Sequence, residues 1–329
     1  MGAERMREYD LCVIGSGPAG QRAAIQAAKL GKRVCVIEKK DVVGGAAINT
    51  GTIPSKALRE AILKAGDRAS AMPTMADFSS VRHRTFESIR ASAHNVIQAE
   101  LRLAYEHLSS NDIDIINGHA SFRDERTVDV VGPRGSDFVV AENFLVAVGT
   151  RPAKPDHIDF GAEDIVTSDE IVSMPELPRS MIVVGGGVIG TEYASMMSAL
   201  GVKVTLVEGR DKLLDFVDDE ITEALQYHLR QNGMTLRLGE KVTKIQRIDK
   251  PDGARSSDGT MVEAMLESGK MLRADSLLYA IGRQGCTDSL SLQNVGLAAD
   301  HRGRLRVDEN FQTDAPSVYA AGDVIGFPA

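Results

Sequence analysis

Cysteine is scarce in this chain, with three among 329 residues. Cys12, Cys35 and Cys286 lie far apart and lack the CxxC spacing, which argues against both a cysteine-built zinc site and a disulfide scaffold. Cys12 and Cys35 fall in apolar runs typical of strands, so we expect buried core thiols. The seven histidines are also scattered and show no HExxH spacing. We therefore expect no metal site.

Positive charge is also in deficit, because 38 Lys and Arg face 46 Asp and Glu for a net charge of -8. Such a balance provides no basic surface for a phosphate backbone, so we expect no nucleic-acid partner. No apolar run approaches membrane-spanning length. The N-terminus lacks the apolar stretch of a secretory signal, and Met6 stands where myristoylation needs Ser or Thr. We expect a cytoplasmic protein with no membrane partner.

Glycine, in contrast, is abundant at two equivalent places. The apolar run YDLCVI at 9–14 is followed by Gly15, Gly17 and Gly20, an Ala-rich helical stretch, and the run VCVIE that ends at Glu38. This order predicts a strand, a turn, a helix and a second strand.

The same order returns in the second half of the chain. The run MIVV at 181–184 precedes Gly185, Gly187 and Gly190, and VTLVE ends at Glu208. Glu208 follows Gly185 by 23 positions, as Glu38 follows Gly15. One such match is a weak signal, whereas two with equal spacing indicate a repeated dinucleotide-binding unit.

The chemistry of a dinucleotide explains this spacing. The first glycine makes a tight turn, the second lets the backbone approach the pyrophosphate, and the third lets helix and strand pack closely. The helix N-terminus then faces the phosphates with free N–H groups, and the acid binds ribose hydroxyls. Each repeat is therefore expected to bind one dinucleotide.

Composition also divides the chain. Its length favours two domains, or one domain inserted in another. Helical periodicity covers about 58–108, short strands with an antiparallel excursion follow from Ile113, and FLVAVG should return to the first sheet. The turn-rich GTRPAKP at 149–155 marks a crossing to the second domain, with a return near Gly282. We predict an α/β fold of two nested Rossmann-like domains, each a three-layer ββα arrangement.

Several segments together are more specific than either glycine turn. They are GSGPAG at 15–20, GGAAINTGTIPSK at 44–56, VAVGTRP at 146–152, GGGVIGTEYAS at 185–195, YAIGR at 279–283 and VYAAGDVIG at 318–326. With them the whole chain resembles the flavoprotein pyridine nucleotide-disulfide oxidoreductases, the group that contains dihydrolipoamide dehydrogenase and glutathione reductase. The resemblance implies that residues 1–150 and 283–329 bind FAD and that residues 151–282 bind NAD or NADP.

The resemblance also implies roles for single residues. Lys56 matches the lysine beside flavin N5, Glu192 matches the glutamate that pairs with it, and Asp323 matches the acid that binds the ribityl chain. Lys56 and Glu192 are our catalytic candidates. The residues expected to bind cofactors are Gly15, Gly17, Pro18, Ala19, Gly20, Glu38, Lys39, Gly44, Gly45, Ala47, Gly51, Thr52, Lys56, Ala120, Gly149, Thr150, Arg151, Gly185, Gly187, Val188, Ile189, Gly190, Glu208, Arg210, Val242, Gly282, Arg283, Gly322 and Asp323.

The sequence departs from the disulfide reductases of this family at two positions. Ala47 and Thr52 stand where those enzymes carry their redox cysteines, and neither residue can form a thiolate. Disulfide reduction is therefore excluded. The surrounding segments NTGTIPSKALREA and TSDEIVSM are most similar to the soluble pyridine nucleotide transhydrogenases, which implies hydride transfer between NADPH and NAD through FAD.

Other functions remain open from the sequence. The same flavin could serve an NAD(P)H diaphorase or oxidase, or the chain could be a non-catalytic module that binds FAD and nucleotides. Dihydrolipoamide dehydrogenase comes last, because it needs the absent cysteines.

The choice between NAD and NADP is open as well. Glu208 would repel a 2′-phosphate by up to about 4 kcal/mol at ~4 Å and an effective dielectric constant of ~20, which favours NAD. Arg210, two residues further on, could hold that phosphate, although a solvated loop charge explains it equally well.

The resemblance finally implies a missing part. Chains of this family continue beyond GDVIGFPA into a helix beside the flavin and a C-terminal interface domain through which two subunits pair. The family homodimer is therefore in doubt, and we expect weaker FAD retention and a weaker enzyme than the longer relatives.

Overall fold

The computed structural model describes residues 7–69, 78–133, 135–160, 164–249 and 259–326. Met6, the residue that argued against myristoylation, lies outside these residues. The α-helices are α1 (Pro18–Lys29), α2 (Gly45–Asn49), α3 (Thr52–Ala69), α4 (Phe78–Ser109), α5 (Ser168–Ile171), α6 (Val188–Ala199) and α7 (Asp219–Gln231).

The strands are short and numerous. They are β1 (Arg7–Ile14), β2 (Val34–Glu38), β3 (Asp114–Asn117), β4 (His119–Asp124), β5 (Thr127–Gly132), β6 (Gly135–Val146), β7 (Thr150–Pro152), β8 (Ile165–Val166), β9 (Ser180–Val184), β10 (Lys203–Glu208), β11 (Thr235–Leu238), β12 (Val242–Asp249), β13 (Thr260–Leu266), β14 (Met271–Ala274), β15 (Ser276–Tyr279), β16 (Arg283–Gly285) and β17 (Val318–Ala320).

Residue contacts divide the chain into two compact units. The first consists of Met1–Pro54, Asn95–Arg151 and Arg283–Ala329, and the second consists of Ser55–His94 and Pro152–Gly282. The second unit is thus inserted in the sequence of the first. It also includes the beginning of α4 and most of α3, which lie within the range 1–150 predicted for the first domain. The assignment of one cofactor to each domain stays a prediction.

The main sheet of the first unit is parallel, in the order β3-β2-β1-β6-β17. The strand β6 also pairs antiparallel with β5, and β5 pairs antiparallel with β4. Both the antiparallel excursion and the return of FLVAVG to the first sheet are therefore present.

Alternating side chains of the first sheet enter two different hydrophobic cores. Cys12 and Ile37 pack with Phe122 and Val128 of the antiparallel strands on one face. Val13 packs on the other face with helix residues such as Ala24 of α1 and Leu101 of α4. A parallel sheet buried on both faces needs such continuous apolar strands. This produces the three layers.

The second unit repeats this architecture. Its parallel sheet has the order β11-β10-β9-β15-β8, and β12, β13 and β14 form a separate antiparallel sheet. Met181 and Leu206 face a core shared with α6, whereas Ile182 and Val207 face a core shared with β13. The predicted α/β fold with two Rossmann-type, three-layer domains is confirmed. Among the described residues, no helix is both long and apolar enough to cross a membrane.

Candidate functional site

The first glycine turn connects β1 to α1. Gly15 has a φ of +105°, and a Cβ there would approach Ala147 O to 2.5 Å. A Cβ at Gly20 would come within 2.0 Å of Gly15 O, so packing alone demands glycine at both positions. A Cβ at Gly17, in contrast, would have no heavy atom within 4 Å. Gly17 therefore borders open space, where a ligand backbone can approach.

In the second turn, between β9 and α6, the first and third glycines are again required by packing and the second again borders open space. Gly185 has a φ of +112° and a Cβ there would lie 2.7 Å from Ala280 O. A Cβ at Gly190 would lie 1.9 Å from Gly185 O, while one at Gly187 would meet no heavy atom within 4 Å. Both turns thus provide the same open approach at the second glycine.

A 12-residue helix begins directly after each of these open glycines. The N-cap residues Gly17 and Gly187 have extended backbone and no side chain to cap the helix. The N–H groups in the first turns of α1 and α6, except at Pro18, which has none, are therefore free for an external acceptor. The helix dipole favours an anion there. Pro18, Ala19, Val188 and Ile189 form the first turns of these helices, as the dinucleotide hypothesis requires.

The acid that ends β2 is held rigidly. Glu38 is buried, and its Oε2 accepts hydrogen bonds from the backbone N–H and the hydroxyl of Ser16. Its Oε1 accepts the N–H of Lys40 at 3.0 Å. Ser16 was not among the predicted residues, although its position directly after Gly15 was a usable signal.

The acid that ends β10 is held by a different set of donors. Glu208 Oε2 accepts the N–H of Gly186 at 2.6 Å, and Oε1 accepts the N–H of Arg210 at 2.9 Å. The Arg210 guanidinium adds two further bonds, from Nε and Nη2. Burial raises the pKa of Glu208, but the bonds from Arg210 and Gly186 outweigh burial and leave this pKa below its ordinary value.

Ala120 and Val242, both predicted to bind cofactors, occupy equivalent positions near Glu38 and Glu208. Gly118 donates its N–H to Glu38 O at 2.9 Å, and Glu240 donates its N–H to Glu208 O at 3.1 Å. Ala120 and Val242 lie two residues further along in their respective segments. Each is therefore placed close to the end of the strand that carries the buried glutamate.

The segment after β2 closes over the first glycine turn. Gly44 donates its N–H to Ser16 Oγ at 3.0 Å, and a Cβ at Gly45 would lie 2.8 Å from Gly17 Cα. In this segment Thr50 Oγ1 is buried and has no hydrogen-bond partner within the described part of the chain. A buried polar atom of this kind calls for an external partner. Ala47, Gly51 and Thr52 belong to the same segment.

The segment around Asp323 also reaches the first turn. A Cβ at Gly322 would lie 2.9 Å from Ala19 Cβ. Thr150 Oγ1 donates to Asp323 Oδ2 at 3.1 Å, and Arg283 Nε donates to Thr150 Oγ1 at 2.7 Å. These contacts link five predicted residues of the first unit, which come from four segments distant in sequence.

The two catalytic candidates meet inside the second unit. Lys56 Nζ of α3 lies 2.5 Å from Glu192 Oε1 of α6. The lysine side chain is 60% exposed and that of the glutamate 21%. An ion pair as open as this contributes little to stability, so its presence at both family positions favours a chemical role.

The remaining predicted residues are less distinctive. Lys39 is exposed directly after Glu38, and Arg151 forms an ion pair with Asp288. Gly149 accepts the N–H of Cys286 through its carbonyl oxygen, and Gly282 accepts that of Ala153. No contact of these residues distinguishes a cofactor ligand from a loop residue.

The comparisons with known proteins agree with this geometry. The family model described as pyridine nucleotide-disulphide oxidoreductase matches residues 9–329. The chain belongs to this family.

Several relatives within the family carry a more specific name. The chain is 46% identical over 326 residues to a soluble pyridine nucleotide transhydrogenase of Mycobacterium bovis (strain BCG / Pasteur 1173P2), covering 98% of this chain and 68% of that protein. It is 42% identical over 322 residues to a soluble pyridine nucleotide transhydrogenase of Pseudomonas aeruginosa (strain LESB58), covering 98% and 67% respectively. The chain thus spans about two thirds of these relatives.

Solved structures show the same family fold. The HOCl-induced flavoprotein disulfide reductase RclA from Escherichia coli, as its Cu(II) complex, matches with a TM-score of 0.83 and 29% identity over 98% of this chain and 67% of that one. A further solved structure of the same reductase matches with a TM-score of 0.80. Membership in the family implies FAD and a nicotinamide dinucleotide as cofactors, and the two glycine turns fit both groups.

This member of the family has no redox-active disulfide. Ala47 and Thr52 occupy the expected cysteine positions, and Cys12, Cys35 and Cys286 are free and buried. Burial, followed by the neighbouring Cys35, raises the pKa of the Cys12 thiol well above its ordinary value, which disfavours a thiolate. The three cysteines therefore form no disulfide in the structure. Within the described residues, no cluster of His, Cys, Asp and Glu could hold a metal ion.

Proposed function

We propose that this chain transfers hydride between NADPH and NAD through bound FAD. The observation that carries the proposal is the presence of two complete dinucleotide cradles in one chain whose redox-cysteine positions hold Ala47 and Thr52. A disulfide reductase cannot work without thiols, whereas hydride transfer between two nucleotides requires none. The relatives named soluble pyridine nucleotide transhydrogenases support this choice.

The first unit supplies the residues suited to FAD. The open Gly17 and the N-terminus of α1 would receive the pyrophosphate, and Glu38 would accept ribose hydroxyls through its remaining lone pairs. Asp323, oriented by Thr150, would accept hydrogen bonds from the ribityl chain. When bound, the flavin supplies a centre that accepts hydride from one nucleotide and returns it to the other.

The second unit supplies the residues suited to the nicotinamide dinucleotide. Gly187 and the N-terminus of α6 match the first cradle, and Glu208 occupies the position of Glu38. Because a single cradle must serve NADPH and NAD in turn, the two substrates should compete for it. The cytoplasmic location, and the doubt about whether two subunits pair as in the family homodimer, remain predictions from the sequence.

Lys56 is our candidate for the positive charge of the reacting centre. Its ammonium donates a hydrogen bond to Glu192, which orients the charge before any substrate arrives. A fixed charge stabilises negative charge that develops during a reaction, without further reorganisation. Glu192 acts here as a positioning residue.

The test is an anaerobic transfer experiment with the flavin-loaded chain. NADPH is added and the visible flavin absorbance is followed; thionicotinamide-NAD is then added and its reduced product is measured. Bleaching followed by catalytic formation of product is the expected result. Bleaching without transfer would contradict the proposal and indicate a diaphorase or oxidase. Loaded flavin that NADPH does not bleach would indicate a binding module.

A further inference from the structure

Arg210 of the second unit lies between two carboxylates. Its Nε and Nη2 donate to Glu208 at 2.9 and 3.0 Å, and its Nη1 forms an ion pair with Asp215. The bonds to Glu208 and then to Asp215 raise the pKa of Arg210, which therefore remains a cation. One positive charge thus faces two negative charges, and the cluster carries a net negative charge.

The fold itself does not require this arginine cluster. In the first unit the equivalent acid, Glu38, receives the second donor to Oε2 from the hydroxyl of Ser16. In the second unit Gly186 takes the place of Ser16, and Arg210 Nη2 provides the bond instead. The backbone N–H groups of Lys40 and Arg210 donate the same hydrogen bond, each to Oε1 of the glutamate two residues earlier. The guanidinium and its second carboxylate are therefore additions specific to the nucleotide site.

The loop that carries Asp215 is anchored to the glycine turn. Leu213 is fully buried, and its Cδ2 lies 2.5 Å from where a Cβ of Gly186 would be. Leu214 donates its N–H to Gly186 O at 3.1 Å and has a φ of +47°, an unfavourable backbone conformation for leucine. Strain of this kind persists only where surrounding contacts enforce it. Asp215 is consequently held on a defined loop against Arg210.

A second cation of this loop is paired in a similar way. Lys212 forms an ion pair with Asp219, the first residue of α7. Two of the loop's cations are thus already bound to carboxylates. An incoming phosphate has to compete with these partners.

We propose that Asp215 is a specificity-determining residue that competes with the 2′-phosphate of NADP for Arg210. The inference rests on the proposed nucleotide role of the second unit. A 2′-phosphate brings about two negative charges to a cluster that is already negative, and it must displace Asp215 to reach the guanidinium. A 2′-hydroxyl carries no charge and can bond to Glu208 while Arg210 stays in place. Asp215 therefore biases the site toward NAD.

The test compares equilibrium binding of NADP⁺ and NAD⁺ to the flavin-loaded chain by calorimetry. Oxidised nucleotides are used because they do not react with oxidised flavin. Asp215→Asn is expected to lower the ratio Kd(NADP⁺)/Kd(NAD⁺) about three- to fivefold at low salt, the range for an exposed ion pair. Because both charges are solvent-accessible, this change should shrink as ionic strength rises.

Two further variants make the result specific. Glu223→Gln removes an equal charge from the exposed surface of α7 and should leave the ratio unchanged. Arg210→Gln removes the cation itself and should raise the ratio about tenfold, because a charge-assisted bond to the phosphate is lost.

The outcomes separate this inference from the proposed function. An equal ratio in the parent chain and Asp215→Asn, or an equal fall in Glu223→Gln, would overturn the role of Asp215 while leaving nucleotide binding established. Absence of binding by either nucleotide to the flavin-loaded parent chain would overturn both. Far-UV circular dichroism of each variant checks that the fold is retained.

Discussion

Glu208 illustrates how one carboxylate is tuned by its immediate partners. Burial raises its pKa, and the hydrogen bonds from Arg210 and Gly186 lower that pKa by more than burial raises it. A carboxylate whose pKa lies below the usual value of about 4.3 stays ionised throughout mildly acidic solution. In the proposed nucleotide site, Glu208 would therefore be ionised at neutral pH and could accept ribose hydroxyls.

A pH dependence of NAD affinity follows from this balance. Affinity that depends on ionised Glu208 is present above its pKa and is lost as the pH falls through that value. In Arg210→Gln the pKa of Glu208 should rise, because burial remains while the guanidinium bonds disappear. The loss of NAD⁺ affinity should then begin at higher pH than in the parent chain. Calorimetric Kd values measured across the acidic range check this; identical profiles would contradict it.

Lys56 offers a second prediction at the scale of a residue. Lys56→Met keeps an unbranched side chain that is one atom shorter and removes the charge, so NADPH-dependent flavin bleaching should slow roughly tenfold to a hundredfold. Unfolding stability should change by less than about 1 kcal/mol, because the ion pair with Glu192 is exposed. Stopped-flow absorbance and urea unfolding measure the two quantities.

The same helix provides the control for this charge. Lys64 of α3 pairs with Glu60 at 3.3 Å and is similarly exposed. Lys64→Met should leave the bleaching rate unchanged. If both variants slowed bleaching equally, the effect would reflect the net charge of the helix, and the assignment of Lys56 would be wrong.

At the scale of elements, the glycine turns separate folding from binding. Gly17 and Gly187 have extended backbone that alanine also adopts, and open space where its methyl group would lie. Gly20 and Gly190 have no such space. Mutating the two classes of glycine should therefore damage different properties.

The prediction uses paired alanine variants. Gly17→Ala should weaken FAD retention and Gly187→Ala should weaken nucleotide binding, each with an unfolding free energy within about 1 kcal/mol of the parent chain. Gly20→Ala and Gly190→Ala should destabilise by about 3 kcal/mol or more, because the methyl group meets a carbonyl oxygen. Urea unfolding of the flavin-free chain and separate binding titrations distinguish these effects. Equal destabilisation by all four variants would refute the assignment.

Most of the elements around the glycine turns could be predicted from the sequence, whereas the burial of individual side chains could not. The two glycine turns, the strands around them and the long helix could be predicted, because apolar periodicity and glycine spacing are local signals. Which side chains of α4 enter the core could not be predicted from periodicity alone. Leu101 and Leu108 are buried, whereas Val96 and Leu103 are 42% and 45% exposed on the same helix.

The side-chain networks were the part that sequence reasoning missed. Arg210 was a candidate for the phosphate, but its bond to Asp215 depends on a backbone turn at Leu214 that no residue preference indicates. Leucine is among the residues that avoid positive φ. Ser16 was missed for a different reason, since a single hydroxyl between two glycines has several ordinary interpretations. These contacts arise from tertiary structure.

At the scale of the whole molecule, the two repeated units are sufficient for the proposed hydride transfer, which needs no thiol chemistry. The two units share an order of four parallel strands, β3-β2-β1-β6 in the first and β11-β10-β9-β15 in the second. Each also has an open glycine after its central strand and a buried acid at the end of the next strand. In the proposed function, one unit would hold FAD and the other would hold NADPH and NAD in turn, so two units are sufficient for the transfer. The three cysteines are free and buried.

A whole-chain prediction follows from this division. Treatment of the native chain with iodoacetamide, after reduction by NADPH, should leave the transhydrogenation rate unchanged, because Cys12, Cys35 and Cys286 are all buried. Mass spectrometry should show alkylation of these cysteines only after unfolding in urea, which provides the positive control. A disulfide reductase would instead expose a reactive dithiol once reduced. Inhibition that accompanies modification of the native protein would therefore show that a thiol takes part, and the flavin-only route would have to be abandoned.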